Sequence, residues 1–209
     1  VRKLGFDKQD SVLYVSAGDG YLRCFSTGDS TLIWETYVDA WITKWTISEH
    51  YITAMTKASP CAVQVVDKNT GETVLSIPVT TGGSEVTMSP DESLIWYGNC
   101  FSSGKSSLSN NIYDINGKML FSMIQPGMAA AFTADSKLFV VQNPKTIAVV
   151  NREGQILWQY DFSSDINHPN SWACATTLWI SGDGKHIVSG ASGDLSAPNL
   201  GQIFFFSRD

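Results

Sequence analysis

Residues 89–98 read SPDESLIWYG, a short polar turn followed at once by an apolar and aromatic run. Asp and Ser side chains bond to nearby backbone groups and so favour a turn, whereas consecutive large apolar residues favour a strand. The same unit of turn and strand begins at five places, at residues 7, 48, 89, 133 and 181. The spacings between these starts are 41, 41, 44 and 48 residues, which indicates an internal repeat.

A second landmark follows each of the first four turns and consists of a tight turn with glycine and then an apolar strand. The instances are TGDSTLIWE at 27–35, TGETVLSI at 70–77, NGKMLFSM at 116–123 and EGQILWQY at 153–160. We expect the glycines to supply the positive φ that a tight hairpin needs; they are Gly28, Gly71, Gly117 and Gly154. A large apolar residue follows each glycine and is expected to pack on the inner face of the outer strand; these residues are Trp34, Leu75, Phe121 and Trp158.

A period near 40–45 residues with four strands per unit predicts an all-β protein, a β-propeller of four-stranded antiparallel blades. The alternative is a β-sandwich, which also has frequent turn signals but does not require two landmarks to recur in phase. We label the strands of each blade A to D from the inside outwards. The blades of this single domain are expected over residues 1–38, 41–79, 83–124, 127–162 and 172–209.

The fifth blade is predicted to be incomplete, because it has three apolar strands and no strand D. Its last strand, at 201–209, would present Phe204-Phe205-Phe206 on an open edge that further blades or an oligomer partner must cover. We therefore expect this chain to form about five blades of a larger propeller that has six to eight blades in total. The alternative is a five-bladed ring whose last blade has three strands. The start at Val1, without an initiator Met, also leads us to expect a natural N-terminus further upstream.

Two motifs carry a resemblance to known repeat families. The stretch GQILW at 154–158 resembles the repeat of quinoprotein-like (PQQ-like) propellers, and the turns SPDES at 89–93 and SGDGK at 181–185 resemble the A–B turn of WD40-type repeats. The resemblance implies the propeller fold, which enzymes, assembly factors, sensor ectodomains and scaffolds share. Quinoprotein enzymes hold a quinone against a tryptophan and a calcium ion, often above a vicinal disulfide. This chain has no Cys-Cys pair and no assignable calcium ligands.

Composition and motifs exclude several function classes. The chain has 20 acidic and 14 basic residues, a formal net charge of −6, so no basic nucleic-acid footprint is expected. No apolar run has the length of a membrane span. The sequence contains no CxxC pair, HExxH, DxDxDG loop or GxSxG elbow. We therefore predict no metal site, no cofactor and no catalytic residue.

The longest predicted loops all belong to one face of the propeller. The D–A and B–C loops share this loop face, and the long ones lie at 100–111, 163–172 and 191–201. Binding residues concentrate in loops on rigid scaffolds. An exposed Trp there could stack on a sugar ring, although such a Trp also packs between blades. The candidate binding residues are Trp41, Lys105, His168, Asn170 and Trp172.

The four cysteines suggest one possible disulfide. Cys61 and Cys100 both fall in B–C connections of adjacent blades and can pair if their Cα atoms come within about 7 Å. Cys24 and Cys174 lie in predicted strands and are expected to be buried free thiols.

These features favour a non-catalytic binding or scaffold propeller that recognises a protein or glycan through the loop face. We expect it to be part of a larger extracytoplasmic or surface protein. The alternative, raised by the family resemblance, is a segment of a quinoprotein (PQQ-dependent) dehydrogenase. A propeller hydrolase or lyase is less favoured, because the inner strands are mostly apolar, apart from Lys44, Glu85 and Thr87.

Overall fold

The structure is a computed structural model, and it describes nine stretches of the chain. They are residues 3–38, 42–56, 61–79, 85–98, 110–123, 129–143, 146–161, 175–191 and 202–208. Within these stretches the regular structure consists of β-strands, with no helix.

The strands form five antiparallel sheets, which we number as blades in chain order. Blade one contains β1 (Lys3–Phe6), β2 (Val12–Ser16), β3 (Tyr21–Ser26) and β4 (Leu32–Tyr37). Blade two contains β5 (Ile42–Ile47), β6 (Tyr51–Thr56), β7 (Cys61–Asp67) and β8 (Thr73–Val79). Blade three contains β9 (Glu85–Met88), β10 (Leu94–Gly98), β11 (Asn110–Asp114) and β12 (Met119–Met123). Blade four contains β13 (Ala129–Phe132), β14 (Leu138–Gln142), β15 (Thr146–Asn151) and β16 (Ile156–Asp161), and blade five contains β17 (Ala175–Ile180), β18 (His186–Ala191) and β19 (Gln202–Ser207).

Each blade is an antiparallel meander, in which strands that follow one another in the chain pair with each other. Successive blades touch through their inner strands, since β5 contacts β9, β9 contacts β13, and β13 contacts β17. The prediction of a β-propeller with four-stranded blades and a three-stranded fifth blade is confirmed.

The turn glycines hold neighbouring blades close together as well as supplying positive φ. Gly71 has φ +77°, and a Cβ built on it would lie 2.7 Å from the Trp34 ring of blade one. Gly154 has φ +83° and would place a Cβ 2.9 Å from the Phe121 ring of blade three. In blades one to three the large residue of the outer strand therefore packs against the C–D turn of the next blade, whereas Trp158 of blade four packs against Phe206 of blade five. The first turn differs from the prediction, because its residue with positive φ is Ser30 (φ +61°) and not Gly28.

Every complete blade has a β-bulge at the same place in its outer strand. In blade one Cys24 pairs with Trp34 and Phe25 pairs with Leu32, so Ile33 is the extra residue. The equivalent extra residues are Val74, Leu120 and Leu157. All four are aliphatic and between 44% and 52% exposed. Such bulges interrupt the outer edge and disfavour pairing with another strand.

The first and last blades both present an open apolar face. Leu4 and Phe6 of β1 alternate with Gly5, which faces Trp45 of blade two, so they point to the opposite side. Both are more than half exposed. On blade five the exposed apolar side chains are Trp179 at 61%, Ile203 at 68% and Phe205 at 77%. These open sheets fit a partial propeller.

Candidate functional site

The loop-face residues proposed from the sequence lie outside the described stretches. This holds for all five candidates, Trp41, Lys105, His168, Asn170 and Trp172. Their role stays a prediction. The same is true of the possible disulfide, because Cys61 begins β7 and is half-buried, whereas Cys100 is outside the described residues.

A charged cluster occupies the loop-face end of the inner strands. Lys3 begins β1 and Glu85 begins β9, and Lys44 lies near the start of β5. Lys44 Nζ is 3.1 Å from Glu85 Oε2, so this ion pair joins blades two and three. Lys3 donates to the Trp45 carbonyl oxygen and lies over the Trp45 ring, 5.0 Å from its centroid. Burial lowers the pKa of Lys3, Glu85 opposes this effect, and Lys44 adds to it.

Buried polar contacts between blades support this end of the fold. The buried indole Nε1 of Trp45 donates to Ser16 Oγ at 2.8 Å, across the boundary between blades one and two. Ser189 Oγ of blade five donates to Gln142 Oε1 of blade four, and both residues are fully buried. A buried hydrogen bond of this kind fixes the relative position of two sheets, because breaking it leaves a desolvated polar group.

Ion pairs and a histidine–carboxylate hydrogen bond also connect successive blades on the opposite side. This side carries the A–B and C–D turns, and we call it the turn face. Lys8 pairs with Glu49 between blades one and two. His50 Nδ1 is 2.7 Å from Glu92 Oε2 between blades two and three. Arg152 Nη1 is 2.6 Å from Asp91 Oδ2 between blades four and three.

Asp91 is the most strongly held of these carboxylates. Burial alone would raise the pKa of Asp91, but hydrogen bonds from Ser89, Ser93 and Arg152 outweigh it and lower the pKa well below its usual range. Asp91 is therefore ionised at neutral pH, and its charge is satisfied by groups from two blades.

The turn face contains a groove that the sequence analysis did not identify. Its inner part is a pocket of about 400 Å³ at the axial mouth, lined by Phe6, Asp7, Lys8, Ile47, Ser48, Glu49, Lys68, Met88 and Pro90. Its outer part is a pocket of about 460 Å³ between blades one and two, lined by Asp7, Gln9, Ser11, Val12, Tyr14, Cys24, Ile33, Trp34, Glu49, His50, Lys68 and Asn69. The two parts share Asp7, Glu49 and Lys68. We call them together the turn-face groove.

The sequence did contain a signal for the inner part of the groove. Phe6, Ile47 and Met88 are the last residues of three inner strands, and they are spaced 41 residues apart. An apolar residue at this point of the first three repeats contributes to the lining of the inner pocket. The turns that flank these residues are short, so the length of the loops does not point to this pocket.

The described stretches contain neither a cluster of metal-ligating side chains nor a helix that could span a membrane. No group of three or more His, Cys, Asp or Glu side chains there is arranged to hold a metal ion. The same part of the chain contains no helix long and apolar enough to cross a membrane.

Comparison with known proteins identifies the fold. No protein-family model matches the chain, and no curated protein matches it. A solved structure of the hydrazine synthase of Kuenenia stuttgartiensis matches with a TM-score of 0.75 and 12% identity, over 99% of this chain and 62% of that one. A chain of the mitotic checkpoint complex matches with a TM-score of 0.74 and 15% identity, over 99% and 60%.

A third similar structure is the computationally designed protein Ika8, with a TM-score of 0.71 and 18% identity over 98% of this chain and 57% of that one. The chain thus spans about three-fifths of the length of the solved chains it matches. At these identities the likeness concerns the fold alone, and that fold is a β-propeller.

Proposed function

We propose that the chain is a non-catalytic binding or scaffold propeller that recognises a protein through its loop face, as part of a larger extracytoplasmic or surface protein. The observation that supports this proposal is the cluster of Lys3, Lys44 and Glu85 at the loop-face end of the channel. Charged groups held at a channel mouth suit polar contacts with a protein surface. A glycan would depend more on aromatic stacking, for which Trp41 and Trp172 are the candidates.

The inner strands make a firm base for such recognition. Trp45 is buried and bonded to Ser16, and Lys44 and Glu85 are linked across two blades. A binding surface held by a rigid scaffold loses little conformational entropy when a partner binds. Long loops mounted on these strands are thus well placed to supply the specificity.

A capture experiment with charge-reversal variants tests the proposal. Immobilised chain is incubated with extract from its natural source, and the retained proteins are cross-linked and quantified by mass spectrometry. We expect Lys44→Glu and Trp172→Ala to reduce retention of the same protein about tenfold or more, as buried or central contacts do. The matched control is Lys137→Glu, an exposed lysine on the turn face, which is expected to leave retention unchanged.

Other outcomes have distinct meanings. Retention that is lost on enzymatic deglycosylation of the extract would mean that the partner is a glycan. Retention that Lys44→Glu and Lys137→Glu affect equally would overturn the loop-face proposal. Calcium-dependent quinone absorbance in the complete protein would instead support the quinoprotein alternative.

A further inference from the structure

The Lys3 ammonium is a cation without a carboxylate partner in the described stretches. It donates one hydrogen bond to the Trp45 carbonyl oxygen and lies over the Trp45 ring, 5.0 Å from the centroid. Lys44, by contrast, is paired with Glu85 at 3.1 Å. Because an ammonium carries three N–H donors, Lys3 keeps donors and a full charge for a further partner.

The surroundings of Lys3 do not neutralise it. Burial against blade two lowers the pKa of Lys3, the Glu85 carboxylate opposes this effect, and the Lys44 ammonium adds to it. A single carboxylate therefore serves two ammonium groups. The cluster keeps one positive charge, although the whole chain has a formal net charge of −6.

The cluster is both accessible and partly desolvated. Lys3 is exposed as a residue and the Lys44 side chain is about half exposed, so a group that approaches from the loop face can reach both. The ammonium of Lys3 nevertheless lies against the Trp45 ring, which removes water from one side of it. A charge that has lost part of its water attracts an anion more strongly than a fully solvated charge does.

We propose that the cluster of Lys3, Lys44 and Glu85 binds the carboxylate of an aspartate or glutamate side chain of the partner protein. Lys3 takes the carboxylate as its ion-pair partner, and Lys44 stays with Glu85 and adds attraction. Glu85 repels the incoming group and so limits the affinity. This inference rests on the proposed function, because it names the chemistry that a protein partner presents to the loop face.

The test uses the whole chain labelled with ¹³C at the lysine ε-carbons and tripeptides blocked at both ends, at constant ionic strength. The probe is Gly-Glu-Gly, and its neutral control of the same shape is Gly-Gln-Gly. We expect the Lys3 signal to shift saturably with the glutamate peptide alone. The signal of Lys137, on the turn face, should stay constant. The bound carboxylate should also raise the pKa of Lys3, because it favours the charged form.

Two variants with opposite expected effects separate binding at the cluster from a general effect on folding. Lys3→Gln is expected to raise the Kd of the glutamate peptide about fivefold, as the loss of one partly exposed ion pair does. Glu85→Gln removes the repelling carboxylate and is expected to lower the Kd about fivefold. Lys137→Gln is the matched control and should leave the Kd unchanged.

The inference and the proposed function can fail separately. If extract proteins are retained through the loop face but the Lys3 signal does not move with the glutamate peptide, the inference is overturned and the proposed function stands. If the glutamate peptide binds as expected but no protein is retained, the chemistry of the cluster is upheld and the proposed function fails.

Three further results would overturn the inference. One is binding of the glutamine peptide with the affinity of the glutamate peptide. Another is a change of Kd in the same direction, or no change, in Lys3→Gln and Glu85→Gln. The last is tighter binding of a blocked Gly-phosphoserine-Gly peptide, which would assign the cluster to a phosphate group.

Discussion

Replacing Gly71 with alanine tests how the blades are joined, because this residue combines a left-handed backbone conformation, which suits glycine, with a close contact between blades. Its φ of +77° lies in the left-handed region, which costs an alanine about 1–2 kcal/mol. The added Cβ would lie 2.7 Å from Trp34 Cδ2 and 2.8 Å from Trp34 Cε3, closer than real Cβ contacts occur.

The Trp34 ring cannot easily move away. Its Nε1 donates to the Lys68 carbonyl oxygen at 3.1 Å, which ties the ring to the same turn that carries Gly71. Overpacking at such a contact costs about 1–3 kcal/mol. We therefore expect Gly71→Ala to lower the free energy of unfolding by about 2–5 kcal/mol in total.

Gly28 supplies a matched control in the equivalent turn of blade one. Nothing but Ser26 Oγ, at 3.8 Å, lies within contact distance of a Cβ built there, and its φ is not in the left-handed region. We expect Gly28→Ala to change stability by no more than about 0.5 kcal/mol. Urea unfolding followed by tryptophan fluorescence measures both variants.

A double-mutant cycle separates the two costs at Gly71. In a Trp34→Ala background the clash disappears, so Gly71→Ala should cost only the backbone share of about 1–2 kcal/mol. The reasoning is refuted if Gly71→Ala and Gly28→Ala destabilise the chain equally, or if removing the Trp34 ring leaves the cost of Gly71→Ala unchanged.

Three further predictions concern the ionised turn, the open face and the buried thiol. Because the folded state lowers the pKa of Asp91 well below its usual range, its contribution is fully present above the ordinary carboxylate pKa of about 4 and is lost gradually as the pH falls from there through the lowered pKa; Asp91→Asn should cost about 1 kcal/mol at pH 7 and progressively less as the pH is lowered below 4, measured by urea unfolding at a series of pH values. Phe205→Glu should reduce self-association of the chain in sedimentation velocity without loss of stability, because Phe205 is 77% exposed on the open face of blade five; unchanged association would contradict this. Burial raises the pKa of Cys24 to about 11, so iodoacetamide at pH 8 should alkylate Cys24 slowly in the folded chain and rapidly in urea; equal rates in both states would show that the thiol is accessible.

The repeat in the sequence was sufficient to predict the propeller, its four-stranded blades and its three-stranded fifth blade. Turn and strand signals are local, and their recurrence in phase requires units that stack on one another. The same local reasoning correctly placed positive φ at Gly71, Gly117 and Gly154, but it failed at the first turn, where Ser30 takes that conformation.

Tertiary structure decided what the repeated residues do together. The sequence shows Phe6, Ile47 and Met88 at intervals of 41 residues, but only the stacking of three blades brings them to one axial pocket. Likewise, Lys8 and Glu49 are distant in the chain, and the packing of blade one on blade two makes them partners across the groove. A turn or strand depends on neighbours along the chain, whereas a pocket depends on side chains from separate blades, which no local pattern can align.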